Sequence, residues 1–153
     1  MERIGIIGAG YVGLTTGVCL AEVGHTVLLA DVDAAKLESL KQGKSPIYEP
    51  GLDELLRKNT AAGRLTFTAN NRDVVRQSDA IFICVNTPPR PDGHADLRYV
   101  EAVAREIAEA LDHTYKVVVD KSTVPVHTAE KVAETIRRYA KPGYAVDVGS
   151  NPE

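Results

Sequence analysis

The sequence predicts an α/β fold in which a doubly wound parallel sheet of six strands carries helices on both faces. Apolar segments of strand length alternate along the chain with segments of helical period, which is the pattern of βαβ units. The strand segments are short apolar runs, as expected where both faces of a sheet are covered. A length of 153 residues suits one domain, and we expect residues 1–153 to form it.

Each predicted strand is a short apolar run bounded by turn or polar residues. The six runs are residues 3–7, 26–30, 65–68, 80–85, 117–119 and 144–148. Two βαβαβ halves built from these strands give the spatial order 3-2-1-4-5-6.

The predicted helices begin and end at residues suited to helix termini. Asp33 can cap the second helix and Asp96 the fifth, whereas Gly24 and Gly43 can end the first and the second. Pro50 suits the first turn of the third helix. The helices are predicted at residues 11–23, between 33 and 43, and at 51–61, 73–77, 97–111 and 128–139.

Charge and composition exclude several kinds of partner. The 18 Lys and Arg residues are scattered among 21 Asp and Glu residues, so there is no basic stripe and we expect no nucleic-acid partner. The apolar run at residues 4–14 contains four glycines and no cleavage-site pattern, so we expect neither a membrane span nor a signal peptide. Two cysteines cannot build a disulfide framework, which fits a cytoplasmic protein. We expect no metal site.

A glycine-rich motif joins the first predicted strand to the first predicted helix. Residues 8–13, GAGYVG, match G-x-G-x-x-G in the strand-to-helix context that the motif requires. Gly8 permits a tight turn, Gly10 leaves room for a pyrophosphate, and Gly13 lets the helix pack against the strand. The helix start at Tyr11 and Val12 presents N–H groups and a partial positive charge to phosphates. This predicts a Rossmann-type dinucleotide site; the alternative is a turn that binds nothing.

An acidic residue follows the motif at the spacing typical of a ribose ligand. Asp31 ends the second predicted strand, 18 residues after Gly13. Its carboxylate can accept hydrogen bonds from both ribose hydroxyls and repels the 2′-phosphate of NADP, which favours NAD. Asp33 is a competing acid that is better explained as the helix cap. The alternative is that Asp31 only faces solvent.

Several segments between residues 3 and 153 resemble the UDP-glucose and GDP-mannose dehydrogenase family. The first is IIGAGYVGL at residues 6–14, followed by Asp31 and Lys36 in the pattern D-x-D-x-x-K. The others are PIYEPGL at residues 46–52, CVNTP at 84–88, KSTVPV at 121–126 and SNPE at 150–153. Of these, PIYEPGL is similar to UDP-glucose enzymes in particular.

The resemblance implies roles for individual residues. Asp31 and Lys36 would hold the adenosine end of NAD, and Thr87 would lie near NAD at the switch point of the sheet. Thr123 would lie near the nicotinamide and a catalytic water, on which Glu153 would act. The catalytic residues are therefore predicted to be Thr123 and Glu153. The predicted cofactor-binding residues are Gly8, Gly10, Tyr11, Val12, Gly13, Asp31, Lys36, Thr87 and Thr123.

Two residues depart from the pattern of the family. Asn86 stands where the family often has glycine, so the sequence does not decide how closely the backbone of this loop approaches the cofactor. His127 occupies a usual glycine position before a helix. We favour a simple surface substitution at His127 over a change in loop geometry, which would follow if a positive φ were needed there.

The resemblance implies an oxidoreductase that converts the C6 alcohol of UDP-glucose to the carboxylate of UDP-glucuronate with two NAD. In the family a cysteine captures the aldehyde-level intermediate, and the thioester formed next is hydrolysed. That cysteine, the substrate domain and the central helix of the homodimer follow the NAD-binding part. We therefore expect this chain to bind NAD without turning over UDP-glucose by itself.

Several alternatives stay open at this point. GDP-mannose and UDP-N-acetyl sugar dehydrogenases have the same NAD-binding part, so the sequence does not decide the nucleotide sugar. A free-standing NAD-sensing module would use the same fold, and so would a domain that has lost its ligand. Without the central helix, the chain is either a monomer or a weak oligomer formed through an uncovered apolar surface.

Overall fold

The computed structural model describes residues 1–123, 125 and 127–151. The strands are β1 (Arg3–Ile7), β2 (Thr26–Ala30), β3 (Leu65–Thr68), β4 (Ala80–Ile83), β5 (Lys116–Asp120) and β6 (Val146–Ser150). They pair in parallel in the order β3-β2-β1-β4-β5-β6. The predicted six-stranded, doubly wound sheet is thus confirmed, including its strand order.

Helices cover both faces of the sheet, each over an apolar core of its own. They are α1 (Tyr11–Glu22), α2 (Ala34–Lys41), α3 (Leu52–Ala61), α4 (Asn71–Gln77), α5 (Arg98–Ala110) and α6 (Thr128–Tyr139). One core contains side chains of the first three helices, such as Leu14, Leu40 and Leu56. The other contains side chains of the last three, such as Val74 and Ile107. Successive strand residues serve the two cores in turn, because their side chains point to opposite faces.

The last strand begins two residues later than the apolar pattern predicts. Gly143 has φ +92°, and the chain still lies in a turn there. The backbone N–H of Lys116 donates to the carbonyl of Ala145 at 3.0 Å, just before β6 begins. Because the second half of β6 is small and polar, the apolar pattern did not extend to its end. The register pairs Asp120 with Ser150, so β5 and β6 end side by side.

Helix starts agree with the sequence to within a few residues, which is the usual ambiguity of helix boundaries. The Asp33 carboxylate caps α2, as predicted. The Asp96 carboxylate accepts the backbone N–H of the first residue of α5 at 3.1 Å. Pro50 precedes the first turn of α3 instead of lying in it, because Gly51 at φ +82° turns the chain into the helix. Asn70, which the sequence did not single out, caps α4.

Candidate dinucleotide-binding site

A cleft of about 740 Å³ opens at the carboxyl ends of β1, β2 and β4. Here the chain order of the strands reverses across β1, and ligands of doubly wound sheets bind at such points. Five predicted cofactor-binding residues line the cleft: Gly8, Gly10, Asp31, Lys36 and Thr87. The structure therefore brings together residues that lie up to 79 positions apart in the sequence.

The glycine turn has a different steric requirement at each of its three positions. Gly8 has φ +106°, and a Cβ there would collide with the carbonyl oxygen of Cys84. A Cβ on Gly13 would collide with the carbonyl oxygen of Gly8. A Cβ on Gly10 would meet only Oδ1 of Asn86, at 3.8 Å. The chain itself thus requires glycine at two positions, whereas at Gly10 the space belongs to the cleft.

The start of α1 faces the cleft at Gly10, its N-cap residue. No side chain caps this helix, and its first turn contains no acidic residue that would neutralise the positive end of the helix dipole. Tyr11 and Val12 begin the helix, and the Tyr11 hydroxyl donates to Oε2 of Glu49 at 2.9 Å. The helix start therefore has the electrostatic character that suits a phosphate group.

Asp31 is held by three donors at the end of β2. Its Oδ2 accepts the backbone N–H of Ala9 at 2.8 Å and the Lys36 ammonium at 2.9 Å, and its Oδ1 accepts the backbone N–H of Asp33 at 2.9 Å. Burial raises the pKa of Asp31, but the hydrogen bonds from Lys36, Asp33 and Ala9 outweigh burial and bring the pKa below its ordinary value. Asp31 is therefore an anion at neutral pH.

A hydrogen bond joins the loops that follow β4 and β5. The Thr87 hydroxyl donates to the backbone carbonyl of Thr123 at 2.7 Å. Thr123 is exposed and lies outside the set of residues that line the cleft. The structure therefore places both threonines at the same edge of the sheet, but it brings only Thr87 into the cleft wall.

Asp120 is a buried carboxylate at the end of β5 that was not predicted from the sequence. Its Oδ1 accepts the backbone N–H of Ser122 at 3.1 Å, whereas its Oδ2 has no hydrogen-bond partner among the described residues. Burial raises the pKa of Asp120. The Ser122 hydroxyl donates to the carbonyl of Ile83 at 3.3 Å, which ties this turn to β4. The signal in the sequence was an acidic residue at the end of an apolar run.

The two departures from the family pattern both adopt ordinary backbone conformations. Among the described residues, only glycines have a positive φ, and His127 lies at φ −89°. His127 is exposed, and its Nδ1 lies 3.3 Å from Oε2 of Glu130. This agrees with the surface interpretation of His127. Asn86 lines the cleft beside the glycine turn, so its side chain is part of the cleft wall.

Some expectations fall outside what the structure describes. Glu153 lies outside the described residues, so its predicted catalytic role stays a prediction. Across residues 1–123, 125 and 127–151, no group of three or more His, Cys, Asp or Glu side chains is placed to hold a metal ion. Within the same residues, no helix has the length and apolar character needed to cross a membrane.

Comparison with known proteins gives consistent matches over nearly the whole chain. The family model for the NAD binding domain of the UDP-glucose/GDP-mannose dehydrogenase family matches residues 2–153. The UDP-glucose 6-dehydrogenase TuaD of Bacillus subtilis is 50% identical over 153 residues, which are 100% of this chain and 33% of that protein. The chain therefore spans about a third of the length of this relative.

Two solved structures are similar in fold as well as in sequence. A UDP-glucose dehydrogenase from Pyrobaculum islandicum superimposes with a TM-score of 0.94 at 44% identity, covering 100% of this chain and 36% of that one. A ternary complex of GDP-mannose dehydrogenase from Pseudomonas aeruginosa gives a TM-score of 0.92 at 42% identity, covering 99% of this chain and 36% of the other.

Proposed function

Because this chain belongs to the UDP-glucose/GDP-mannose dehydrogenase family and matches its NAD-binding domain, we propose that the cleft above β1 holds NAD for the oxidation of a nucleotide sugar. The observation that carries this proposal is Asp31, an anion fixed by Ala9 N–H and Lys36 directly beside the glycine turn. A phosphate position and a ribose position are thus adjacent in one cleft.

The residues of the cleft fit both the pyrophosphate and the adenosine ribose of NAD. Gly10 and the N-terminus of α1 would hold the pyrophosphate, with Tyr11 and Val12 supplying N–H groups. A carboxylate has about four lone-pair positions, and three of those on Asp31 are already taken. Oδ1 of Asp31 would therefore accept one ribose hydroxyl, and the adjacent Lys36 ammonium would donate to the other ribose oxygen.

The same pair of residues supports NAD over NADP. A 2′-phosphate on the ribose would lie beside the ionised Asp31 carboxylate, and the like charges would repel each other in a site partly shielded from water. The Lys36 ammonium is already paired with this carboxylate at 2.9 Å, so it offsets only part of the repulsion. NAD, which is the cofactor of this family's domain, has no charge at that position.

We assign UDP-glucose as the sugar nucleotide and UDP-glucuronate as the product. Support comes from the 50% identity to a UDP-glucose 6-dehydrogenase and from the PIYEPGL segment, which Glu49 ties to the start of α1. GDP-mannose is the alternative, because a GDP-mannose dehydrogenase is 42% identical in the solved structures. Bound NAD supplies the hydride acceptor for this oxidation.

In this proposal the residues of this chain position the cofactor and a water molecule. The residues that bind and react with the sugar belong to the other two thirds of a full-length enzyme of this family. Thr123 and Glu153 position or activate a water near the reacting carbon, and Thr87 holds the Thr123 turn in place. Residues 1–153 form the NAD-binding domain, and the full-length enzyme is a cytoplasmic homodimer. The 153-residue chain binds NAD but does not convert UDP-glucose by itself.

Calorimetric titration with NAD tests the proposed site. We expect wild type to bind NAD and Asp31→Ala to lose most of this affinity. Glu38→Ala is the matched control, because Glu38 is an exposed acid on α2 whose partner is Lys41 at 2.7 Å. Unchanged NAD affinity in Asp31→Ala, or equal losses in both variants, would remove Asp31 from the site.

A turnover assay tests whether this chain alone can oxidise UDP-glucose. The chain is incubated with UDP-glucose and NAD, and NADH formation is followed by absorbance. We expect no NADH from the chain alone. Formation of UDP-glucuronate by the purified chain would contradict the assignment of this chain as the cofactor-binding part only.

A further inference from the structure

The cleft extends past Asp31 to a wall that lies beyond the proposed phosphate and ribose positions. This wall is formed by two helices: Asn71 is the first residue of α4, and Tyr99, Val103 and Glu106 belong to α5. A dinucleotide with its pyrophosphate at the glycine turn and a ribose at Asp31 continues into this end of the cleft. The group that would reach this wall is the adenine base.

Apolar surface is available there for the flat faces of a base. Val32 directly follows Asp31 and is 88% exposed, so its side chain is available to a ligand in the cleft. Val85 follows β4, two strands away in the sheet, and packs against the apolar core that contains Val103 of α5. All three line the cleft, so they offer apolar contacts to a planar base.

A polar pair lies on the same wall. The side-chain amide of Asn71 donates to Oε2 of Glu106 at 2.7 Å, which links α4 to α5 across 35 positions of sequence. An ionised carboxylate is an acceptor only, and this hydrogen bond takes one of its lone-pair positions. Glu106 therefore offers further acceptor positions at the cleft, in an orientation that Asn71 holds.

We propose that Glu106, positioned by Asn71, selects adenine by accepting a hydrogen bond from the exocyclic amino group of the base. This inference rests on the proposed NAD site and adds a specificity-determining residue to it. A base with a carbonyl oxygen in place of that amino group would face the carboxylate with a second acceptor, and two facing acceptors without a shared proton cost binding free energy.

The experiment compares NAD with nicotinamide hypoxanthine dinucleotide, in which a carbonyl oxygen replaces the amino group. The readout is the ratio of the two dissociation constants, measured by calorimetry. We expect wild type to favour NAD about tenfold, the size of one lost hydrogen bond to a charged group. Glu106→Gln brings the ratio close to one, because an amide both donates and accepts. Asn71→Ala also lowers the ratio, because Glu106 then lacks its positioning contact.

Glu109→Gln is the matched control. It removes the same charge from the same helix, but Glu109 accepts from Arg105 at 2.9 Å and is not among the residues that line the cleft. We expect this variant to keep the wild-type ratio. Equal affinities for both dinucleotides in wild type, or an unchanged ratio in Glu106→Gln, would overturn the inference.

The outcomes also separate this inference from the proposed function. If NAD binds, depends on Asp31 and yet shows no preference over the hypoxanthine analogue, the NAD site stands and the role of Glu106 is wrong. If wild type binds neither dinucleotide, both proposals are wrong. The ratio of the two dissociation constants is also measured on the wild-type chain alone. The preference for adenine can therefore be tested even if a substitution impairs folding.

Discussion

The Lys36 ammonium lies 2.9 Å from Oδ2 of Asp31, the same oxygen that accepts the backbone N–H of Ala9 at 2.8 Å. The side chains of the ion pair are 26% and 9% exposed, so water screens it less than a surface pair. One carboxylate thus connects the end of β2, the start of α2 and the glycine turn. The cofactor proposal depends on this arrangement.

Removal of the Lys36 ammonium is predicted to raise the pKa of Asp31. In Lys36→Met, burial still disfavours the charged carboxylate while its ammonium donor is absent. Titration of the Asp31 carboxyl carbon by NMR measures the shift, and NAD affinity is expected to fall about tenfold. Lys41→Met is the control, because Lys41 pairs with Glu38. An unchanged Asp31 pKa in Lys36→Met would refute this prediction.

The lowered pKa of Asp31 predicts a pH-dependent contribution to stability. Because its folded-state pKa lies below the unfolded value of about 3.9, the contribution is present above the unfolded pKa and disappears as the pH falls through the folded pKa. Asp31→Asn should therefore be less stable than wild type at pH 7, and the difference should shrink toward pH 3. Urea denaturation across this range measures it; a constant difference would contradict the account.

Asp120 is predicted to behave in the opposite sense. Burial raises its folded-state pKa above the unfolded value, so ionisation opposes folding as the pH rises through that folded pKa. Asp120→Asn keeps an acceptor for Ser122 N–H and removes the charge, so it should raise the Tm at pH 7.5. The gain should vanish below the unfolded pKa. A gain of the same size at pH 3.5 would show that charge is not its cause.

Two glycines of the turn are predicted to respond differently to alanine. Gly13→Ala places a methyl group against the backbone carbonyl of Gly8, and we expect a loss of about 1–3 kcal/mol of unfolding free energy. Gly10→Ala meets only Asn86 Oδ1 at 3.8 Å, so its stability should stay close to that of wild type while NAD binding is lost. Chemical denaturation and calorimetry on both variants check this. A stable Gly13→Ala, or a Gly10→Ala that binds NAD normally, would contradict the assignment.

Local sequence patterns were sufficient for the sheet and for the core of the site. Alternation of apolar runs and helical segments predicted the strand order, because short right-handed crossovers leave few ways to arrange such units. The glycine turn and Asp31 were predictable for the same reason, since both belong to one βαβ unit. The end of β6 was missed because Gly149 and Ser150 carry no apolar signal.

Contacts between distant segments were not predictable from the sequence. The hydrogen bonds between Asn71 and Glu106 and between Thr87 and Thr123 join residues 35 and 36 positions apart. They depend on how helices and loops pack on the sheet, and neither pair forms a local motif. Asp120 was missed because its burial follows from its place between β4 and β6 in the sheet, which the residue alone does not reveal.

Calorimetric titration of the wild-type chain with NAD and with NADP is the sharpest test of the cofactor assignment. We expect NAD to bind and NADP to bind far more weakly, because the 2′-phosphate of NADP would meet the ionised Asp31. Asp31→Ala should reduce the affinity for NAD and narrow the difference between the two. Binding of NADP as tight as that of NAD, or binding of neither, would contradict the assignment of this cleft as an NAD site.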